Sequence, residues 1–292
     1  MDLDGDGQRD ILSGSYSRME QTMAGLFQVL RGKEDGTFKK AEVLKGTDGE
    51  PLIIPVKSKP GEGEDWIKNI CTRPFAADWD GDGHLDLVVG NMPGTFHLFK
   101  GKGKGEFQPV PEEMKAGDQP LKIAGAHGDP FVIDWDGDGD LDLLSGSSEG
   151  GVQWAENGAG PGKPPRLEAF RPLIEKGPQV AYGHILREED LKGPVGNTRV
   201  WADDVNGDGK LDLLVGDSAT LISPADGLSE GEFKQKFAEW TKSQQEVVAQ
   251  LNSDADEKKR AEAQQQIQEL YRRRSEFMKE HMTGFVWLYL GK

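Results

Sequence analysis

Aspartates stand at alternate positions of a nine-residue segment, Asp-Trp-Asp-Gly-Asp-Gly-His-Leu-Asp, from Asp78 to Asp86. Alternate carboxylates on a tight turn suit a hard divalent cation such as calcium, which takes six to eight oxygen ligands. The donors here would be Asp78, Asp80, Asp82 and Asp86, with the backbone carbonyl of His84 at position 7. The segment recurs as DWDGDGDLD from Asp134 to Asp142, as DVNGDGKLD from Asp204 to Asp212, and as DLDGDGQRD from Asp2 to Asp10. Four carboxylates drawn to within about 5 Å repel by roughly 3 kcal/mol per pair at an effective dielectric near 20. Such a loop calls for a cation or for raised carboxyl pKa values. Glycine at position 6 (Gly7, Gly83, Gly139, Gly209) supplies the positive φ that lets the chain turn around an ion.

The residues after each loop decide its class. An EF-hand needs a bidentate Glu at position 12 and helices on either side. Position 12 is Ser13, Val89, Ser145 or Val215. The tails, such as Leu87-Val88-Val89-Gly90, are short, apolar and glycine-ended, which predicts a buried strand. A dockerin-type pair would continue into helix, so it fits no better.

The elements that must hold these loops can be read around them. Strand-like segments precede three of the four loops: Arg73–Ala77, Pro130–Ile133 and Thr198–Ala202. Alternating aromatic segments come after the tails at Gly25–Gly32, Gly94–Gly101 and Gly151–Asn157, as half-buried strands require. A third set of segments (Gly36–Phe38, Gly105–Phe107, Leu167–Phe170) completes the expected repeat of four antiparallel strands. The repeats begin at residues 2, 78, 134 and 204, and such periodicity is the sign of a repeat architecture. Longer repeats carry expected insertions at 47–65 and 177–196. The fourth is interrupted between Gly216 and the strand around Trp287. Ser229 and Glu232 have capping-box spacing, and an apolar stripe from Phe233 to Leu251 recurs at helical period. A second stripe runs from Ala263 to Met278, so a helical hairpin is expected over 229–282. The first loop has only Met1 ahead of it. The natural chain is therefore expected to have more upstream, unless the strand near Trp287 completes the first repeat.

Composition agrees with this organisation. The chain has 292 residues with 39 Gly and 16 Pro, and a net charge of −16. Sixteen aspartates lie in the four loops alone, so the acidity sits at the proposed ion sites. Nucleic acid is a poor partner for that surface. A lone Cys71 excludes an intrachain disulfide framework, and no apolar run reaches membrane-spanning length. Oligomeric state is left open.

Loop, tail and succeeding strand together resemble FG-GAP repeats, also called VCBS-type repeats. These form the calcium-binding blades of integrin alpha-subunit propellers and of many secreted bacterial proteins and fungal lectins. The resemblance implies an all-β fold: one β-propeller domain over 1–292, built of four-stranded antiparallel blades, with the helical hairpin inserted in the last. By position it implies calcium ligands Asp2, Asp4, Asp6 and Asp10; Asp78, Asp80, Asp82 and Asp86; Asp134, Asp136, Asp138 and Asp142; and Asp204, Asn206, Asp208 and Asp212. Gln8, His84, Asp140 and Lys210 would add backbone carbonyls, for up to four Ca²⁺. The family's propellers commonly have about seven blades, and four loops are present here. The resemblance also implies a secreted, periplasmic or cell-surface location.

Function is then weighed between binding and catalysis. No nucleophile–base–orienter set is evident, so the leading expectation is a non-catalytic adhesion or recognition scaffold for a protein or polysaccharide ligand. The alternative is a carbohydrate-active enzyme, a polysaccharide lyase or hydrolase-like propeller in which His127, or Tyr182 with His184, would move a proton. Trp66, Trp79, Trp135, Trp154 and Trp201 could stack on sugar rings or simply pack between blades.

Overall fold

Each acidic loop leads into a short strand, and after the second, third and fourth loops that strand is the buried middle of an antiparallel sheet. The structure, a computed structural model, describes residues 1–16, 25–56, 65–178, 180–252 and 257–292. Among the described residues the chain is mostly β, with two α-helices. The first sheet has the order β1 (Ile11–Ser13), β2 (Gln28–Leu30), β3 (Glu42–Val43). The second begins with β4 (Arg73–Ala77), β5 (Asp86–Gly90) and β6 (Phe96–Phe99). A ribbon of β7 (Gly101–Gly103) and β8 (Glu106–Phe107) comes next, then β9 (Glu112–Glu113), which closes the sheet as β4-β5-β6-β9. A second ribbon, β10 (Lys115–Ala116) with β11 (Gln119–Pro120), leads to the third sheet. This is β12 (Asp129–Ile133), β13 (Asp142–Gly146), β14 (Val152–Ala155) and β15 (Arg171–Ile174), paired in that order.

The fourth repeat supplies β16 (Arg199–Asp203) and β17 (Asp212–Gly216) and then departs from the sheet. It passes through β18 (Ala219–Pro224), α1 (Glu230–Leu251), α2 (Glu257–Arg273) and β19 (Met278–Thr283) before returning as β20 (Val286–Tyr289). β20 pairs antiparallel with β17, Val215 opposite Trp287. The strand near Trp287 therefore belongs to the fourth sheet and does not complete the first.

Period-two alternation explains why the middle strands read as unbroken apolar runs. Leu87 and Val89 of β5 point into a core shared with Phe27, Val29 and Leu44 of the first sheet. Val88, between them, points the other way, into a core with Leu143 and Ala155 of the third. Leu144 of β13 then joins Val200, Leu213 and Val215 of the fourth. The sheets thus stack face on face in chain order, and the middle strands β5 and β13 of the inner two are buried on both sides. The glycines ending the first three tails are what this stacking needs, whereas Gly216 in the fourth has open space. A Cβ on Gly90 would stand 2.3 Å from the Gly128 carbonyl oxygen, and one on Gly146 only 2.1 Å from that of Thr198.

Two expectations shift. The segments Gly36–Phe38, Gly105–Phe107 and Leu167–Phe170 are not the outer strands. Those are β3, β9 and β15, a few residues further on. β9 is two glutamates at a sheet edge, with no hydropathy pattern to mark it. The helical stripe also stops short: α2 ends at Arg273, and Met278–Thr283 is strand, in six register pairs with β18. Part of the expected insertion at 47–65, the run 59–64 included, lies outside the described residues, as does the break at Ser253-Asp254.

The chain divides into two compact units. One comprises Met1–Gly177, Gly193–Ser218 and Phe285–Lys292, and the other Pro178–Lys192 and Ala219–Gly284. The first holds the four sheets and all four acidic loops. In the second, Ser229 and Glu232 form the expected capping box at the start of α1, and Trp240 Nε1 donates to the Leu270 carbonyl at 2.9 Å. Phe233, Trp240, Phe277, Met278 and Ile222 form its core.

Candidate metal centres

Backbone hydrogen bonds within each loop hold the carboxylates in a common arrangement. The position-1 carboxylate turns inward and accepts from the position-6 glycine N–H: Asp2 from Gly7 at 2.9 Å, Asp78 from Gly83 at 2.9 Å, Asp134 from Gly139 at 3.1 Å and Asp204 from Gly209 at 2.9 Å. These glycines have φ of 84–92°, where a side chain would be strained. The position-5 carboxylate accepts from the position-7 N–H, so Asp6, Asp82, Asp138 and Asp208 are tied to Gln8, His84, Asp140 and Lys210 at 2.8–3.0 Å.

Three loops gather carboxylate oxygens within 4.8 Å of one another: Asp2, Asp4 and Asp6; Asp78, Asp80 and Asp82; and Asp134, Asp136 and Asp142. The second loop offers the clearest fit to a hard cation. Asp78 Oδ1 and Asp80 Oδ1 are buried and accept no hydrogen bond among the described residues. Buried carboxylate oxygens rarely go unsatisfied, and an ion is one standard reason for it. Asp140 Oδ1 in the third loop is in the same condition. The fourth loop has Asn206 at position 3, whose side chain bonds Asp208 on both sides, accepting from its N–H at 2.9 Å and donating to its carboxylate at 3.2 Å. Its aspartates form no carboxylate triad among the described residues.

The position-9 aspartates have a second role that spacing alone does not reveal. Asp10, Asp86, Asp142 and Asp212 are all buried. One oxygen of each accepts from the position-2 N–H, of Leu3, Trp79, Trp135 and Val205, at 3.1 Å in every copy. The other accepts from the residue just beyond the third strand: Gly32 at 2.9 Å, Gly101 at 2.6 Å, Asn157 at 2.7 Å and Gly291 at 2.8 Å. The carboxylate therefore staples the loop to the neighbouring strand in all four sheets, across 79 residues in the last. Of the four, Asp142 alone also stands within a triad among the described residues. Glycines ending Leu-Arg-Gly, Phe-Lys-Gly and Tyr-Leu-Gly were the sequence signal for these partners.

Electrostatics separate the loops further. Burial is the main cause that pushes the Asp142 carboxyl up to about 6, opposed by its two backbone donors. Burial likewise raises Asp86, again against a backbone donor, with the Asp80 charge adding to the rise. The first loop carries its own counter-ion. Arg31 Nη1 lies 3.0 Å from Asp10 and 3.3 Å from Asp4, and its Nε lies 3.3 Å from Glu42. Lys100 Nζ approaches Asp80 in the second loop more loosely, at 3.5 Å. No lysine or arginine pairs with the aspartates of the third and fourth loops among the described residues.

The residues considered for catalysis fall in both compact units, His127 in the first. His127 sits at φ 62°, and burial, reinforced by Arg73 and Arg199, lowers its pKa. Tyr182 and His184 lie in the second compact unit. There the Tyr182 phenol is pushed up to about 12, chiefly by burial, and its oxygen accepts a hydrogen bond from Arg274. Among the tryptophans, Trp79 is buried between the second and third sheets and Trp135 packs against the next core. The Arg171 guanidinium covers Trp154 at 4.1 Å, and Trp201 is 54% exposed beside Phe131. Trp66 is half-buried in a short helical turn.

Residues 78–145, the second and third loops with the sheet between them, match a family model described as FG-GAP-like repeat. The chain thus carries the repeat that its motifs resemble. No curated protein matches the chain.

Proposed function

We propose, on the premise that the chain carries an FG-GAP-like repeat, that it is a calcium-stabilised β-propeller serving as a non-catalytic recognition scaffold outside the cytoplasm. Sequential stacking of four antiparallel sheets in chain order supports the propeller reading. The ligand is a protein or a polysaccharide. Asp78, Asp80, Asp82 and Asp86 hold one ion with the His84 carbonyl, and Asp134, Asp136, Asp138 and Asp142 hold a second with that of Asp140. Asp204, Asn206, Asp208 and Asp212, with Lys210, make a third site. Asp2, Asp4, Asp6 and Asp10, with Gln8, make the fourth and weakest, because Arg31 already neutralises it. A bound ion supplies positive charge where the loops concentrate carboxylates; it is structural. The observation that carries this reading is the pair of buried, unpartnered oxygens, Asp78 Oδ1 and Asp80 Oδ1, inside a carboxylate triad.

Calorimetric titration of chelator-stripped protein with calcium chloride tests it. Saturable heat at several sites is expected, together with a melting temperature that rises on adding the metal. An ion at a hundredfold excess over its dissociation constant stabilises the fold by roughly 2.7 kcal/mol per site. No heat and no thermal shift would refute the metal assignment.

A further inference from the structure

The first strands of successive sheets lie side by side, β4 against β12 and β12 against β16. The residue five places before each loop opens that strand and pairs across to the tail glycine: Arg73 with Gly90, Asp129 with Gly146, Arg199 with Gly216. These three equivalent positions converge. Arg73 Nε stands 3.7 Å from Asp129 Oδ1, and Arg199 Nε stands 3.2 Å from Asp129 Oδ2. Together they line one wall of a cavity of about 380 Å³, to which Ser13, Ser15 and Thr72 also contribute.

We propose that this cavity binds a small carboxylate-bearing ligand, gripped by Arg199 and Arg73. Among the described residues two guanidiniums share one carboxylate here, an excess of one positive charge in a chain whose net charge is −16. Attraction at so acidic a surface is therefore local to this cavity. The pair already brackets a planar carboxylate, that of Asp129, and the guanidinium fork matches carboxylate geometry. Arg73 is anchored through Nη1 to the His127 carbonyl at 3.0 Å and is only 19% exposed, so it is held in place before any ligand arrives. The Arg199 side chain, whose Nη1 donates to the Thr198 carbonyl at 3.1 Å, is 46% exposed and lines the cavity. The Ser13 hydroxyl donates to the Gly14 carbonyl and that of Thr72 accepts from the Ser15 N–H, and each keeps hydrogen-bonding capacity that suits a hydroxylated ligand in this open depression.

The inference rests on reading the chain as a binding scaffold and is independent of the metal. Its test is calorimetric titration of the full chain with sodium glucuronate, run in calcium and again in chelator, with glucose and sodium sulfate as controls. Saturable one-to-one binding of glucuronate is expected, with no binding of glucose and weaker binding of sulfate. Arg199→Gln should weaken glucuronate by about tenfold, the loss of a charged hydrogen bond. Asp129→Asn removes the competing carboxylate and should tighten it. A merely structural cluster would not move in opposite directions for the two variants. Absence of glucuronate binding while calcium still binds would overturn this site alone and leave the metal reading standing. Equal affinity in wild type and both variants, or tighter binding of sulfate than of glucuronate, would also overturn it.

Discussion

At the scale of the residue, the loops use one side-chain type for two kinds of work. The aspartates at positions 1, 3 and 5 are organised by backbone N–H groups into a concave set of oxygens. The aspartate at position 9 spends both its oxygens on main-chain donors. The spacing of the loops made the first role legible at once. The second was hidden because a staple and a ligand are the same residue in a sequence, and only the partner distinguishes them. Arg31 was equally hidden: it lies 27 residues from Asp4, just past the end of β2, and nothing in the loop announces it. Because its guanidinium neutralises Asp4 and Asp10, Arg31→Gln is expected to strengthen calcium at the first loop. The same change lowers the melting temperature of the metal-free protein, since it leaves the buried Asp10 without its counter-charge. Calorimetry and thermal melts in chelator check the two arms; unchanged calcium heats would contradict the first.

At the scale of the element, close approach between backbones sets what each strand can contain. Gly14, Gly90 and Gly146 carry the stacking of one sheet on the next, and no side chain fits where Gly146 meets the Thr198 carbonyl. Gly146→Ala is expected to destabilise the protein by about 1–3 kcal/mol, the usual cost of overpacking. Urea unfolding monitored by tryptophan fluorescence measures it, and a cost near zero would show that the sheets separate easily. Strands with alternating or wholly apolar patterns were readable, because burial selects their residues. The outer strands were not. Glu112-Glu113 is strand by virtue of its partner β6, and Met278–Thr283 is strand because it pairs with β18, though its neighbours continue a helical stripe. In both places pairing outweighs local propensity.

At the scale of the whole molecule, every acidic loop lies in the unit built from Met1–Gly177, Gly193–Ser218 and Phe285–Lys292. The helices lie in the other. Chelation is therefore expected to lower the unfolding temperature of the sheets while leaving the helical signal at about 222 nm to melt where it did before. Circular dichroism and a near-ultraviolet probe, recorded together with and without calcium, separate the two; a common shift would show that they unfold as one. The chain leaves the sheets for the second unit twice, and each departure is pinned. Gly177 N–H donates to the Pro194 carbonyl at 2.7 Å, and Asp217 and Phe285 exchange main-chain and carboxylate bonds at 3.0 and 2.9 Å. Whatever occupies the intervals between those pairs, the sheets see the same two closed doors. The intervals are interchangeable cassettes: a relative could replace the helices with another module, or with a short turn, without moving a strand of the scaffold.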